Sequence, residues 1–370
     1  MKIGLNATCL NDRPSGAKQR FVGIYGALVR RLPNVEFVVY EPADCRVGDW
    51  FSGAPNVIAR RTRLPSVGRF RKVALGIGYW LPILTRERFD IFECFHQPLV
   101  RAVSGRTMTT IHDVRQIRSD WGLFERTMYR MALRKTLSAV DRVITVSEAM
   151  RAEILAFDAK AAVSVVYNGL NANEFAAVPE DQLGAVRQKF ALPDEFVLSV
   201  GHFERRKNYA KLIDAMARLC ARGCPCSLVL VGNDSGERRL IEAAIATAKL
   251  SAQVTILSGL TDLEVRCIYR LSSLFVFPSS YEGFGLPVLE AMAAGVPMVL
   301  SDLPVFREIT ENKGIYFCHD ESELIADAIE QVLGSDDLRA RLIAYGSRRV
   351  QDFSFERLAA QIEALYLAQA

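Results

Sequence analysis

Short apolar runs alternate with longer segments of helical periodicity along nearly the whole chain. The apolar runs predict strands in two series, with a more polar stretch at residues 171–188 between them. The first series comprises residues 2–5, 35–40, 56–59, 90–94, 107–111, 142–146 and 163–167, and the second comprises residues 196–200, 227–231, 254–257, 274–277, 297–300 and 314–317. Helical spacing fills most intervals, for example at residues 21–32, 123–139 and 237–249. Because alternating strands and helices form parallel sheets covered on both faces, we predict two doubly wound α/β domains linked by residues 171–188.

The size and composition of the chain agree with this division. With 370 residues, 50% of them hydrophobic, the chain can bury two cores of moderate size. The first strand begins almost at Met1, so we expect no signal peptide. Eight scattered cysteines fit a reducing compartment better than a disulfide framework. We therefore expect a cytoplasmic protein.

Residues 274–302 predict a strand, a glycine turn and a short helix. The apolar run ends at Pro278, Pro287 favours a helix start, and Gly295 favours its end. Glycines at 283 and 285 allow the backbone to approach a ligand, and the free amides of a helix start bind anions such as phosphate. This segment is therefore a candidate anion site.

Two glutamates flank that candidate site. Glu282 precedes the glycine turn, and Glu290 falls about one helical turn after the predicted helix start. Carboxylates accept hydrogen bonds from hydroxyl groups. Together with an anion site, they suit a ligand with both phosphate and hydroxyls, such as a nucleotide diphosphate sugar.

A run of cations follows the predicted strand at residues 196–200. After Gly201 come Arg205, Arg206 and Lys207, and the spacing of later apolar residues predicts that these cations open a helix. Cations at a helix start oppose the helix dipole unless an anion offsets them. The run is therefore a second candidate for binding phosphate, with an exposed basic turn as the alternative.

The Glu-x7-Glu spacing around a glycine turn, the following residues 291–302 and the Gly-Arg-Lys-Asn run resemble the retaining glycosyltransferases of family 4 (group 1). The resemblance implies the GT-B fold: two Rossmann-like, doubly wound parallel-sheet domains that face a central cleft, with a C-terminal helix crossing back to the first domain. It implies an acceptor domain at residues 1–176, a donor domain at residues 177–352 and the returning helix at residues 353–370.

The resemblance also implies roles in the second domain. Arg206 and Lys207 would neutralise the donor diphosphate, Glu282 would contact the donor sugar, and Glu290 would hold the ribose hydroxyls. Arg205 stands where many relatives carry proline, so no role follows for it. The remaining donor-binding positions implied there are Gly201, Leu260, Gly283, Phe284, Gly285 and Leu286.

In the first domain, the candidates follow predicted strands. Gly16 resembles the family's glycine after the first strand, although its usual partner glycine is missing. His112 and Asp113 end a strand, where doubly wound sheets bind ligands, and the resemblance implies that His112 contacts the donor sugar. Ser147 and Asn168 resemble residues of two loops near the cleft, with simple turn formation as the alternative for Asn168.

We expect no metal and no cofactor. The sequence has no Asp-x-Asp triplet that would hold a divalent ion on a sugar nucleotide. Cys220, Cys224 and Cys226 form a cluster without a nearby histidine, so buried or turn thiols are a better interpretation than a zinc site. The resemblance likewise implies metal-independent transfer with retention, in which a donor phosphate oxygen takes the acceptor proton.

Charge is uneven along the chain. Residues 1–180 contain 26 Lys and Arg against 17 Asp and Glu, whereas the whole chain has a net charge of only +4. Basic residues are densest between Arg60 and Lys72, just before the apolar run 73–84. This segment could rest on an anionic membrane, and a solvated face beside a buried helix is the alternative. The apolar run is too short to span a membrane, and no nucleic-acid reader motif accompanies the charge.

These observations predict a retaining hexosyltransferase. It would use a nucleotide diphosphate sugar, with a preference for GDP-mannose or a GDP-deoxyhexose, and a saccharide or lipid-linked saccharide acceptor in bacterial surface polysaccharide synthesis. Two alternatives stay open: a GT-B-fold sugar-nucleotide epimerase and a non-catalytic sugar-nucleotide-binding subunit.

Overall fold

The chain folds into two compact units. The computed structural model describes residues 1–67, 69–96, 101–102, 104–118, 122–224 and 226–368, and for residues 69–77 it describes the backbone only. Unit 1 comprises Met1–Gly169 and Phe355–Ala370, and unit 2 comprises Leu170–Ser354. Each unit is a parallel sheet with helices, so the predicted α/β fold with two Rossmann-like domains is confirmed.

Unit 1 contains a seven-stranded parallel sheet in the order β3-β2-β1-β4-β5-β6-β7. Its strands are β1 (Lys2–Asn6), β2 (Glu36–Glu41), β3 (Val57–Arg61), β4 (Ile91–Cys94), β5 (Arg106–Ile111), β6 (Arg142–Thr145) and β7 (Val163–Val165). Each matches one predicted strand of the first series to within two residues at each end. The direction of winding reverses between β1 and β4, which makes this the switch point where such sheets bind ligands.

The first helices of unit 1 cover this sheet. They are α1 (Gly16–Arg20), α2 (Gly26–Arg31), α3 (Arg69–Arg86), α4 (Leu123–Ala139) and α5 (Glu148–Phe157), with a π turn at Phe21–Tyr25 between α1 and α2. The predicted helix at residues 21–32 is thus the later part of a longer helical segment. No helix in the described parts of the chain combines the length and the apolar character needed to cross a bilayer.

Unit 2 contains a six-stranded parallel sheet in the order β10-β9-β8-β11-β12-β13. Its strands are β8 (Phe196–Val200), β9 (Ser227–Val231), β10 (Val254–Leu257), β11 (Leu274–Phe277), β12 (Met298–Ser301) and β13 (Ile315–Phe317). Its helices are α6 (Asn173–Ala176), α7 (Glu180–Lys189), α8 (Tyr209–Ala221), α9 (Arg238–Thr247), α10 (Asp262–Leu271), α11 (Leu286–Ala294), α12 (Pro304–Ile309), α13 (Ser322–Leu333) and α14 (Asp336–Arg349). The switch point of this unit lies between β8 and β11.

The linker predicted at residues 171–188 is wrong. These residues form α6 and most of α7, and both belong to unit 2. Phe175 of α6 is buried, and its ring lies 5.9 Å from that of Tyr269 in an edge-to-face arrangement. The polar residues of this stretch cover the solvated faces of two short helices, which is why composition suggested a linker.

The unit boundaries differ correspondingly from the predicted limits at residues 176 and 352. The chain passes between the two units twice, next to Leu170 and next to Phe353. The backbone N–H of Leu170 donates to the carbonyl of Phe353 at 3.0 Å, so these two segments are hydrogen-bonded to each other within unit 2. The boundaries therefore fall at Gly169 and Ser354.

The last helix, α15 (Phe355–Leu367), returns to unit 1 as predicted. Its residues Leu358, Ala359, Ile362 and Tyr366 are fully buried in the same core as β1 and the π turn. On the rim, the guanidinium of Arg31 in α2 lies 2.7 Å from the carboxylate of Glu363. The sequence that follows unit 2 thus completes the core of unit 1.

Gly23 in the π turn allows α15 to pack closely. A Cβ at this position would lie 2.2 Å from the Phe355 ring, whereas a Cβ on Gly26 would meet only the end of Arg30, at 3.7 Å. We expect Gly23→Ala to lower the free energy of unfolding by about 1–3 kcal/mol through overpacking. Gly26→Ala, the matched control, should be neutral or stabilising by about 0.5–1 kcal/mol. Urea denaturation of both variants measures the difference, and equal stabilities would contradict this view of the contact.

Candidate functional site

Two predicted site segments meet at the switch point of unit 2. The strands β8 and β11 pair in parallel, with Leu274 opposite Val197. The loop after β8 carries the cations, and the loop after β11 carries Glu282 and the glycine turn. Since parallel strands end at the same edge of the sheet, the fold brings together groups about 75 positions apart in sequence.

The cations lie on a separate 3-10 turn rather than at the start of α8. Arg205–Lys207 form this turn, and Asn208 ends it in the left-handed conformation with φ of +58°. The prediction that these cations open a helix is therefore wrong, because Asn208 separates them from α8. The backbone N–H of Ser280 donates to the carbonyl of Arg206 at 2.8 Å, which links the two loops directly.

Three donors converge on one carboxylate oxygen. The Oε1 atom of Glu282 lies 2.7 Å from Lys207 Nζ and 2.5 Å from Arg206 Nη1. It also accepts a hydrogen bond from Ser279 Oγ at 3.0 Å. Arg206 has a second carboxylate neighbour, Glu204, at 2.6 Å. The site thus holds two cations and two anions in direct contact.

Burial sets the electrostatics of this cluster. It lowers the pKa of Lys207, against the opposing effect of the nearby Glu282 carboxylate. Burial alone would raise the pKa of Glu282, but the charges of Lys207 and Arg206 outweigh it and lower the pKa overall. Glu282 is therefore ionised at neutral pH and serves as the counter-ion of two partly desolvated cations.

The Lys207 side chain is fixed from several directions. Its ammonium lies 4.4 Å from the centroid of the Phe277 ring. A Cβ on Gly201 would lie 2.8 Å from Lys207 Cε, so a glycine is needed where the side chain passes the backbone. The hydroxyl of Tyr209 donates to the Gly201 carbonyl at 2.8 Å and holds this loop in place. Because the Lys207 side chain is already held in place, little side-chain entropy is lost when its ammonium binds a ligand.

The glycine turn opens α11 as predicted. Gly285 adopts φ of +104° just before Leu286, the first residue of the helix, while Gly283 and the buried Phe284 precede it. Glu290 lies in this helix and accepts a hydrogen bond from the Tyr269 hydroxyl at 2.8 Å.

Burial raises the pKa of Glu290, in contrast to Glu282. The pKa of Glu282 is thus lowered and that of Glu290 is raised, although the two residues flank the same helix start.

Leu260 lies in the loop after β10 and before α10. Strand β9 lies between β10 and β8, so this position is further from the charge cluster along the sheet. Its role in donor binding stays a prediction.

In unit 1, the predicted residues follow the strand ends. Gly16 is the first residue of α1, and His112 directly follows β5. Burial and then the charge of Arg20 lower the pKa of His112 to about 3, so its imidazole is neutral at physiological pH. Asp113 accepts a hydrogen bond from the backbone N–H of Arg115 at 3.3 Å.

Two further predicted residues have structural partners. Ser147 is buried and caps α5, accepting a hydrogen bond from the Met150 backbone at 3.1 Å. The side-chain carbonyl of Asn168 accepts a hydrogen bond from Arg20 at 3.2 Å. These contacts explain both residues without a ligand, and their role in donor binding stays a prediction.

Sequence reasoning missed a buried polar cluster beside His112. The carboxylate of Glu93, on β4, accepts hydrogen bonds from Tyr25 at 2.6 Å, from Thr110 at 2.8 Å and from Tyr366 of α15. The signal was available, since Glu93 interrupts an apolar strand.

Arg20 is the cation of this buried region. It is almost completely buried, and its Nη1 donates to the carbonyls of Val166 and Tyr167 at 2.8 and 2.6 Å. It therefore fixes the loop after β7, which carries Asn168.

Neither the candidate metal ligands nor residues 60–63 of the basic segment form a further site in the described part of the chain. In the described part of the chain, no three His, Cys, Asp or Glu residues are placed to hold a metal ion. Arg60 forms an ion pair with Glu87, and Arg61 donates to the carbonyl of Ala43. Arg69, Arg71 and Lys72 lie outside the side chains that the structure describes, so membrane contact through residues 60–72 stays a prediction.

Two family models match most of the chain between them. The model described as Glycosyltransferase Family 4 matches residues 14–174, and the model described as Glycosyl transferases group 1 matches residues 185–349. The second match contains the whole charge cluster of unit 2.

Individual relatives agree with these matches. The O-antigen chain mannosyltransferase RfbU of Salmonella typhimurium is 24% identical, over 93% of this chain and 94% of its own. Among solved structures, the sucrose-phosphate synthase of Thermosynechococcus elongatus is 21% identical with a TM-score of 0.80, covering 99% of this chain and 98% of its own. HepE of Anabaena, in complex with UDP and glucose, is 19% identical with a TM-score of 0.78 over the whole of both chains. At these identities the structural likenesses establish the fold.

Proposed function

Since this chain belongs to the group 1 glycosyltransferases and has the GT-B fold, we propose that it transfers a hexose, with retention of configuration, from a nucleotide diphosphate sugar to a saccharide or lipid-linked saccharide. We propose GDP-mannose or a GDP-deoxyhexose as the donor and bacterial surface polysaccharide synthesis as the setting. The similarity to an O-antigen mannosyltransferase supports both preferences.

The observation that carries the proposal is the convergence of Lys207 and Arg206 on Glu282 beside the start of α11. Cleaving the bond between sugar and diphosphate places negative charge on the leaving oxygens. Two cations fixed next to a helix start stabilise such charge electrostatically. In this mechanism the diphosphate takes over the cations, and Glu282 becomes free to accept hydrogen bonds from the sugar.

The other residues bind and orient the donor in this proposal. Glu290 accepts hydrogen bonds from the ribose hydroxyls, and Tyr269 holds its carboxylate in position. The neutral imidazole of His112 contacts the sugar as a hydrogen-bonding group and adds no charge beside the developing positive carbon. A donor phosphate oxygen accepts the proton of the acceptor hydroxyl, which attacks from the face that the diphosphate leaves.

A sugar-nucleotide panel tests donor binding. We expect one nucleotide family to raise the thermal unfolding temperature of the protein in the presence of EDTA, because the proposed site needs no divalent ion. A ligand at about 100 times its Kd adds about 2.7 kcal/mol to stability, which such a measurement resolves. Stabilisation that vanishes with EDTA would contradict the metal-independent site, and no stabilisation by any nucleotide would contradict the donor site itself.

Product analysis tests the reaction. With donor and an oligosaccharide acceptor, we expect the anomeric proton of the product to show the same configuration as the donor by NMR. An inverted product would exclude retention. Conversion of the donor alone into an epimer would support an epimerase instead, and binding without turnover on any acceptor would support a non-catalytic subunit.

A further inference from the structure

A buried arginine lies near His112 in unit 1, and the mechanism described so far gives it no task. Arg20 is only 1% exposed, although arginine is rarely buried in proteins. Its Nη1 atom donates to the carbonyls of Val166 and Tyr167 and, at 3.2 Å, to the side-chain oxygen of Asn168. Its Nε and Nη2 atoms have no hydrogen-bond partner among the described residues. Each buried N–H group without a partner costs free energy, so packing alone does not account for an arginine at this position.

The helical segment that carries Arg20 departs from regular geometry at the next residue. Phe21–Tyr25 form a π turn, in which backbone hydrogen bonds span five residues. Tyr25 therefore lies one turn after Arg20 on the same side of the segment, whereas residues five apart in an α-helix point about 140° away from each other. The Tyr25 hydroxyl donates to Glu93 at 2.6 Å, and both residues act electrostatically on Arg20. Since π turns occur frequently at functional sites, this geometry agrees with a functional role of Arg20.

The strand that leads to His112 contacts the same buried cluster. Thr110 of β5 donates to Glu93 at 2.8 Å. Because side chains alternate along a strand, His112, two positions later, follows on the face of the sheet that Thr110 occupies. Burial and the charge of Arg20 together lower the pKa of His112.

Other titratable groups surround this end of β5. Together with Arg20 they are Tyr25, Glu93, Asp113, Tyr129 of α4 and Tyr366 of α15. Among the described residues, Arg20 is the charged group that acts on the His112 imidazole. The protonation state of His112 thus depends on its burial and on this arginine.

We propose that Arg20 is a positioning residue for His112 in sugar transfer. It ties the first helical segment to the loop after β7 and holds a fixed positive charge near the imidazole, so that His112 meets the donor sugar as an ordered, neutral group. A protonated imidazole would place positive charge beside the anomeric carbon, where positive charge develops in the transition state. The inference rests on the proposed function, from which it takes the contact between His112 and the donor sugar.

Titration of the histidines by NMR tests the electrostatic part of the proposal without any activity assay. The chain has four histidines, and the variant His112→Asn identifies the signal of His112 in protein with isotope-labelled histidine. In the wild type we expect the imidazole to stay neutral between about pH 5 and 8, since its pKa is lowered to about 3. In Arg20→Met the pKa of His112 should rise toward its ordinary value. In Arg20→Lys, which keeps a positive charge at this position, His112 should stay neutral over the same range.

Steady-state kinetics test the functional part. We expect Arg20→Met to lower kcat by about 10- to 10²-fold with a smaller change in KM for the donor, because Arg20 acts through His112 and does not touch the donor. The activity of this variant should fall further toward acid pH as His112 becomes protonated, and Arg20→Lys should recover part of kcat. The matched control Arg30→Met removes an exposed arginine from α2 in the same helical segment and should behave as the wild type does.

Three results would overturn the proposal. These are a His112 that titrates near its ordinary pKa in the wild type or in Arg20→Lys, an unchanged His112 titration in Arg20→Met, and equal losses of kcat in Arg20→Met and Arg20→Lys. The wild type and Arg20→Lys keep the test decisive if thermal unfolding shows that Arg20→Met does not fold. A neutral His112 in a protein without transferase activity contradicts the proposed function alone. Sugar transfer by a protein whose His112 titrates normally contradicts the role of Arg20 alone.

Discussion

Lys207→Ala is expected to lower kcat/KM for the donor sugar nucleotide by about 10²- to 10³-fold. The substitution removes a buried ammonium that lies 2.7 Å from Glu282 and that faces the leaving diphosphate in the proposed mechanism. Losing a single fixed group that stabilises developing negative charge typically has an effect of this size. Initial rates at varied donor concentration, with acceptor held at saturation, measure it.

The same turn supplies the matched control. Arg205 is exposed, and Arg205→Ala removes the same charge two positions earlier in the turn without changing the cluster. Its rate should stay within about twofold of the wild type, because exposed charges contribute little. In Lys207→Ala, Glu282 keeps its ion pair with Arg206, so we expect the variant to fold. Its thermal unfolding temperature checks this expectation. If Lys207→Ala and Arg205→Ala lost activity equally, the assigned role of Lys207 would be wrong.

Glu93→Ala should lower the free energy of unfolding by about 3–5 kcal/mol. The substitution leaves the hydroxyls of Tyr25, Thr110 and Tyr366 without their shared acceptor and removes a carboxyl group that interacts electrostatically with the buried Arg20. When buried donors lose their acceptor, or a buried charge loses its partner, the free energy of unfolding falls by several kcal/mol. Urea denaturation followed by circular dichroism measures the loss.

Glu36→Ala is the control for this prediction. Glu36 also lies in the sheet of unit 1, but its side chain is largely exposed and its ion pair with Lys2 is 3.2 Å long at the surface. The expected change is within about 0.5 kcal/mol. Similar losses in the two variants would mean that the buried cluster is not a principal source of stability.

The pH dependence of Glu93 has a definite sign. Burial raises the pKa of Glu93 above its unfolded value, although its hydroxyl partners oppose this. The folded protein thus binds this proton more tightly, and the contribution of Glu93 to stability is greatest below about pH 4.3 and falls as the pH rises toward its folded pKa. The stability of the wild type relative to Glu93→Gln should therefore decrease over this interval.

The regular elements could be predicted because each depends on local sequence. Alternating apolar runs located every strand of both sheets, and the helix α4 has the bounds that its periodicity predicts. Gly285 and Gly295 mark the two ends of α11 because each adopts a left-handed conformation.

Errors arose where tertiary contacts decide the outcome. Residues 171–188 look like a linker until Phe175 is seen to pack on Tyr269. Asn208 ends the turn of cations because its side chain donates to the carbonyl of His319, a contact 111 positions away. No local pattern contains such a partner.

The candidate site itself was predictable in part. The types and spacing of Arg206, Lys207, Glu282 and Glu290 indicated phosphate and hydroxyl binding. The direct pairing of Glu282 with both cations was not foreseen, because it follows from the adjacency of β8 and β11. The cluster around Glu93 was missed since its partners come from residues 25, 110 and 366, which only the folded unit brings together.

The return of α15 to unit 1 constrains how the protein is made. Domains usually fold on the ribosome in the order of their synthesis. Here the first unit to emerge lacks Leu358, Ile362 and Tyr366 of its core until α15 has been synthesised. A nascent chain interrupted anywhere before α15 therefore presents an open apolar groove and an incompletely satisfied Glu93 to chaperones and proteases. Synthesis as far as α15 is thus a condition for unit 1 to complete its core.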